Sequence, residues 1–291
     1  MKRSAFAALI VVLLAASPAS AVDQMPLVLQ PTSQWRLDFA DERCSLIRQF
    51  GDGEDAIRLE IDAYGPSFNY RVTLVGGLVP VSRAVPITEL RVGYSPDPGE
   101  RERFLLRAGT FEGKSAVSFR LGFRPMAGQT VEAFEGSVES VTLDFRNFQP
   151  IRLETGSMAA PFAAMHRCID DLVASWGFDP VAHRSLSRPV QIVAAGEGRK
   201  ILTPEPTSDF PGWAERRRKK ATEIVSRDGM MVPVRLMIDA DGKPTQCVVQ
   251  AGYVDDGWRE RICASVVRDI YSAALDANGR PVASFIQIDS N

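Results

Sequence analysis

Hydrophobic and polar residues alternate strictly through much of the first half of the chain. Ile57, Leu59 and Ile61 interleave with Arg58, Glu60 and Asp62, and Tyr70, Val72 and Leu74 with Arg71 and Thr73. Val117, Phe119, Leu121 and Phe123 interleave with Ser118 and Arg120, and Val141, Leu143 and Phe145 with Thr142 and Asp144. A period of two belongs to strands buried on one face only. Turn residues separate the runs: Gly51-Asp-Gly53, Gly65-Pro66 and Pro96-Asp-Pro-Gly99. Several short strands in series predict a mostly antiparallel β domain, a sandwich or an open barrel.

The period then lengthens. Phe162, Met165, Ile169, Leu172, Val173 and Trp176 fall at helical spacing, with His166, Arg167, Asp170 and Asp171 mostly on the other side. Pro161 suits the first turn and Gly177 the end. One helix therefore closes a β domain spanning 22–184, with Cys168 near its apolar face. Residues 185–211 read as linker, with Gly196, Gly198, Pro204 and Pro206. A charged helix over 213–227 leads into a last module, 212–291. No internal repeat or low-complexity tract stands out.

In that module Val232, Val234, Leu236 and Ile238 share one strand face, and Thr245, Cys247 and Val249 one face of a returning strand. Asp239 and Gly242 make the turn, the glycine supplying a left-handed conformation. Trp258, Ile262, Cys263, Val266, Val267 and Ile270 form a helical stripe that needs a sheet to cover. Asn278-Gly279 turns the chain into a third strand, Pro281, Val282, Ala283, Ser284, Phe285, Ile286 and Gln287. The whole chain is thus expected to be α+β, ending in a small three-stranded antiparallel sheet with helices on one face.

The N-terminus changes the setting. Lys2 and Arg3 precede an apolar run over 5–16, and Ala19-Ser-Ala21 supplies small residues for signal peptidase. Residues 1–21 read as a secretory signal cleaved after Ala21, the run being shorter than the ~20 residues of a spanning helix. The alternative is an uncleaved anchor. With 34 basic and 36 acidic residues, the net charge of −2 leaves no footprint for nucleic acid. Four cysteines in an exported chain suggest two disulfides. They allow three connectivities, between which sequence alone does not choose.

The order strand–turn–strand–helix–turn–strand, with Phe210-Pro211 before the first helix, Ile238-Asp-Ala-Asp-Gly242 and Leu275-Asp-Ala-Asn-Gly-Arg-Pro-Val282 at the two turns, resembles the C-terminal domain of TonB-type energy transducers. The resemblance covers a little over a quarter of the chain. It implies a periplasmic binding module that adds a partner's extended segment to an exposed strand, 281–287, where a proline at Ser284 should disable pairing. The implied partner is a cell-envelope protein such as a TonB-dependent outer-membrane receptor. Cys247 and Cys263 resemble the paired cysteines of one subgroup; Cys44 and Cys168 would then pair within the β domain. The chain departs from the transducers in its short linker, its cleavable leader, and Gln250-Ala-Gly252 where Ser-Ser-Gly is usual. The transducer anchored by an uncleaved N-terminal segment is the alternative, with the membrane a partner only in that case.

No residue pattern points to catalysis, metal or cofactor. His166 and His183 lack an accompanying nucleophile motif, and there is no Cys-x-x-Cys. A hydrolytic site in the β domain is a remote alternative. Asp170 and Asp171 are helix neighbours pointing apart. Asp239-Ala-Asp-Gly242 lacks the further ligands of a calcium loop, and Gly196-Glu-Gly198 the spacing of a phosphate loop. The basic run Arg216-Arg-Arg-Lys-Lys220 wraps round its helix as a solvated face. The reading is an exported binding or adaptor protein.

Overall fold

Where polar and apolar residues alternate, the chain forms strands of two open sheets. The computed structural model describes residues 25–67, 69–80, 90–96, 102–104, 107–122, 128–194, 196, 232–250 and 256–290. The first sheet joins β2 (Arg36–Ala40), β3 (Arg43–Phe50), β4 (Ile57–Ala63), β5 (Asn69–Gly76), β9 (Lys114–Gly122) and β8 (Arg107–Phe111), in that order and all antiparallel. The second joins β1 (Leu27–Leu29), β11 (Ile151–Leu153), β10 (Ser140–Phe145), β6 (Leu90–Ser95) and β7 (Glu102–Phe104), parallel only between β1 and β11. Among the described residues neither sheet closes into a barrel. Leu59, Ile61, Val72 and Phe119 of the first share one core with Val92, Leu143 and Leu153 of the second.

Two helices complete this core: α1 (Val131–Ser137), capped by the Thr130 hydroxyl, and α2 (Ala159–Ser175). The apolar stripe of α2 is buried as its spacing requires, from Phe162 to Val173. Pro161 lies in the first turn, and Gly177 follows the end at φ +88°, the left-handed conformation that stops a helix. Cys168 on α2 bridges to Cys44 on β3, both sulfurs being interior. A short helix, α3 (Pro180–Arg184), follows.

The last module contains the expected hairpin, β13 (Val232–Ile238) with β14 (Pro244–Val249), and a helix, α4 (Asp256–Val266), joined to β14 by the Cys247–Cys263 bridge. Its sheet has the order β14-β13-β18, with β18 spanning Ser284–Ser290. Val234, Leu236 and Ile238 are buried toward Ile262 and Val266 of α4. The two turns are built alike. Asp239 Oδ1 accepts from the N–H groups of Asp241 and Lys243 at 2.9 and 2.8 Å, and Asp276 Oδ1 from those of Asn278 and Arg280 at 2.8 and 2.9 Å. Each turn ends on a left-handed glycine, Gly242 at φ +82° and Gly279 at φ +76°. A short local repeat of turn chemistry therefore exists where none had been expected.

Three boundaries differ from the sequence expectation. The α4 stripe stops at Val266, because the chain tightens there through N–H bonds from Arg268 to Ser265 and from Asp269 to Val266. Buried Tyr271 then donates its hydroxyl to the Val266 carbonyl at 2.7 Å, while Ile270 turns out, 59% exposed, and Val267 is exposed too. Part of the expected linker, residues 186–194, is also structured, and its remainder from 197 on, with Phe210-Pro211, lies outside the described residues. Leu186 and Val190 pack in the C-terminal core, and β12 (Gln191–Ala194) pairs with β15 (Ile270–Ser272). The third strand is divided: β17 (Pro281–Val282) pairs with β16 (Ala274–Leu275), and only from Ser284 onward does the chain join the sheet. The leader with Ala19 and Ala21, the helix over 213–227 with its basic run, and Phe123 lie outside the described residues.

Candidate functional site

The candidate site is the margin of the C-terminal sheet formed by β18, together with what flanks it. Backbone direction there follows from hydrogen bonding. Gln250 N–H donates to the Pro233 carbonyl at 2.9 Å, so Pro233 faces β14. Backbone groups alternate sides along an antiparallel strand, so Val234, Leu236 and Ile238 face β18. Their register partners Ile288, Ile286 and Ser284 face back toward β13. Phe285, Gln287 and Asp289 therefore direct their N–H and C=O groups outward. Among the described residues no other strand pairs with this margin.

This parity corrects the expectation for Ser284. Its N–H serves the pairing with β13, so a proline there would break the sheet internally and leave the outer margin's donors in place. The Ser284 side chain is enclosed, 2% exposed, with its hydroxyl 3.3 Å from His183 Nδ1. Phe285 is covered as well: the His183 ring stacks on it at 4.4 Å and 7°, and the Trp176 ring meets it edge-on at 5.1 Å. Pro281 and Val282 belong to the small β16·β17 pair, with Ala283 between the two strands. The accessible stretch of the margin thus lies beyond Phe285, at Ile286, Gln287, Ile288 and Asp289.

The second face of the sheet packs on the first domain. Arg235, cross-strand from Gln287, is buried, its Nη2 3.0 Å from Glu42 Oε1 in the β2–β3 turn. Gln250 donates to the Tyr64 carbonyl at 2.8 Å, and Gln287 donates to the same carbonyl and to Gln250 Oε1 at 3.1 Å. Asp289 pairs with Arg120 of β9. Burial raises the Glu42 pKa despite Arg235, and burial lowers that of Arg235 despite Glu42. Desolvation thus outweighs attraction for both partners, which suits a contact that fixes geometry more than it stabilises. The sequence pattern assigns only the apolar face of β13, and nothing in the sequence marks the face carrying Arg235 as a domain interface.

Two polar clusters in the first domain also escaped sequence reading. Fully buried Glu135 accepts from the Tyr70 hydroxyl at 2.5 Å and lies 3.0 Å from His166 Nε2, tying α1 to β5 and α2. Hydrogen bonding to Glu135 raises the His166 pKa, and burial raises that of Tyr70. Asp62 is buried beside Ser45, whose hydroxyl donates to it at 2.6 Å, and its pKa is raised by burial against the pull of Arg43. The apolar cavity between the sheets, lined by residues such as Leu59, Phe119, Leu143 and Met158, holds about 20 Å³, space for roughly one water.

His183 serves as an aromatic packing partner. Cys44 with Cys168 and Cys247 with Cys263 are bonded, and Asp239, Gly242, Asn278 and Gly279 shape turns. Among the described residues no three His, Cys, Asp or Glu side chains are grouped to hold a metal, and no helix is long and apolar enough to cross a membrane. Comparison of the chain with protein-family models, curated proteins and solved structures finds no match.

Proposed function

We propose that this is an exported, periplasmic binding or adaptor protein without catalytic activity, whose C-terminal module takes up an extended segment of a cell-envelope protein by strand addition. The observation that carries the reading is the outer margin of β18, where Gln287 and Asp289 present backbone groups with no strand beside them among the described residues. Main-chain hydrogen bonds supply affinity in this mode, and side chains set register. The two disulfides support an oxidising compartment. The resemblance of the two turns and the helix between them to TonB-type domains supports a module that binds protein, with a TonB-dependent outer-membrane receptor as the implied partner. Rigid placement of β18 against Trp176 and Phe178 leaves the strand ordered before a partner arrives, which lowers the entropic cost of pairing.

The test compares two substitutions at one position. Gln287→Ala removes the side-chain bonds to Tyr64 and Gln250 but keeps the outward N–H, whereas Gln287→Pro removes the N–H as well. Partner capture from an envelope extract should persist with the alanine variant and fall roughly tenfold or more with the proline variant. Equal capture by a folded Gln287→Pro protein would remove this margin as the binding site.

A further inference from the structure

We infer that strand β2, the edge of the first sheet that has no further strand beside it among the described residues, is a contact through which two copies of this chain associate. All of β2 from Arg36 to Phe39 is exposed, including two apolar side chains, Leu37 at 38% and Phe39 at 55%. An ordered, exposed edge with apolar residues is a template for another strand unless something blocks it.

The backbone direction is fixed by two hydrogen bonds next door. Gln49 on β3 receives Thr32 N–H at its carbonyl, 2.9 Å, and directs its own N–H to Ser33 Oγ, 2.9 Å. Residues of β3 with that parity therefore face β2, and their partners Arg36, Asp38 and Ala40 spend their backbone groups inside the sheet. Leu37 and Phe39 turn theirs outward. Among the described residues these outward donors and acceptors, at alternate positions, have no strand beside them, as a strand partner requires.

The sequence of the edge selects the partner. A second copy approaching antiparallel, with Leu37 on the two-fold axis, places outward-facing Leu37 against its own counterpart. On the polar side Arg36 of each copy then faces Asp38 of the other, twice, in the close non-hydrogen-bonded pairing. On the apolar side Phe39 lies opposite Trp35, the half-buried residue that immediately precedes β2, also twice. Opposite charges and aromatic pairs at directly opposed positions both favour pairing. The neighbouring register, with Asp38 on the axis, opposes two carboxylates and leaves Arg36 against Ala40. Charge therefore chooses one isologous arrangement, which closes as a dimer and does not propagate. The edge is short, so the association is weak and dependent on concentration.

Sedimentation equilibrium of the purified protein tests this. Wild type should shift from monomer toward dimer as concentration rises. Asp38→Arg, which opposes two arginine pairs, should weaken association by about tenfold or more, and Arg36→Asp should do the same. Combining Arg36→Asp with Asp38→Arg re-creates both ion pairs with their signs exchanged, and should return the affinity to within roughly threefold of wild type. Leu37→Pro deletes only an outward donor, so it should abolish dimerisation while the thermal midpoint stays near that of wild type. Strictly monomeric wild type would overturn the inference, as would a dimer indifferent to Leu37→Pro or one that the charge exchange fails to recover.

Discussion

The guanidinium of Arg235 lies 3.9 Å from the centre of the Trp176 ring, so the middle strand of the C-terminal sheet rests on the residue that ends α2. Cation–aromatic stacking of this kind is strongest where water is excluded, and Arg235 is nearly inaccessible. The same side chain holds Glu42 of the β2–β3 turn. One arginine thereby joins the C-terminal sheet to two separate elements of the first domain.

The energetics of that pair give a prediction. Glu42→Gln leaves a buried cation short of its counter-charge and should destabilise the protein by roughly 1–3 kcal/mol. Replacing both partners, Glu42→Leu with Arg235→Met, removes two desolvation costs together and should restore most of the loss. Urea denaturation followed by tryptophan fluorescence checks this, and a double variant less stable than Glu42→Gln would contradict it.

The two histidines should respond to pH in opposite senses. Glu135 raises the His166 pKa, so its stabilising contribution is complete below the unfolded value of about 6.5 and is lost as pH rises through the higher folded value. Burial, with Arg184 nearby, lowers the His183 pKa. Its contribution is complete above about 6.5 and is lost as pH falls through the lower folded value. Mild acid therefore loosens the contact with Phe285 and leaves the α1–α2 contact intact. NMR titration should find His166 protonating at the higher pH of the two, and the reverse order would reject both assignments.

The matched turns separate two roles of glycine. Gly279 meets nothing that a Cβ would touch, so Gly279→Ala should cost only its left-handed strain, about 1 kcal/mol. At Gly242 an added Cβ would sit 2.6 Å from the Tyr271 carbonyl oxygen. Gly242→Ala should therefore cost about 2–4 kcal/mol. Thermal unfolding of the pair measures the difference, and equal losses would show that the Tyr271 backbone yields freely.

Each disulfide lies within its own domain. Cys44–Cys168 closes a separation of 124 residues and Cys247–Cys263 one of 16. On the loop-entropy estimate their removal costs about 5 and about 3 kcal/mol respectively. Reduction should accordingly lower the stability of the first domain more than that of the second. A non-reducing peptide map linking Cys44 to Cys263 would refute the pairing.

Much of this architecture was legible because periodicity reports burial directly. Ile57, Leu59 and Ile61 read as one strand face and are one; Phe162 through Val173 read as one helix stripe and are buried together. What escaped reading depends on partners distant in sequence. Val267 and Ile270 continue the α4 stripe on paper, yet the chain there pairs with β12, some eighty residues upstream. Arg235 and Gln287 look like the wet side of a sheet because nothing in β13 or β18 reveals that Glu42 and Tyr64 will cover it. Glu135 sits in a polar stretch, and its burial follows only from the approach of Tyr70 and His166.

The pairing of β12 with β15 bears on how the molecule would behave once cut. Leu186, Val190 and β12 precede residue 197, yet they are seated in a module whose remaining strands follow residue 231. Both disulfides lie wholly to one side of that interval or the other. A protease cleaving once between Gly196 and Val232 would convert one chain into two that no covalent bond joins, yet which stay together in native buffer and part only in denaturant. Cleavage there would change the covalent identity of the protein without dispersing it.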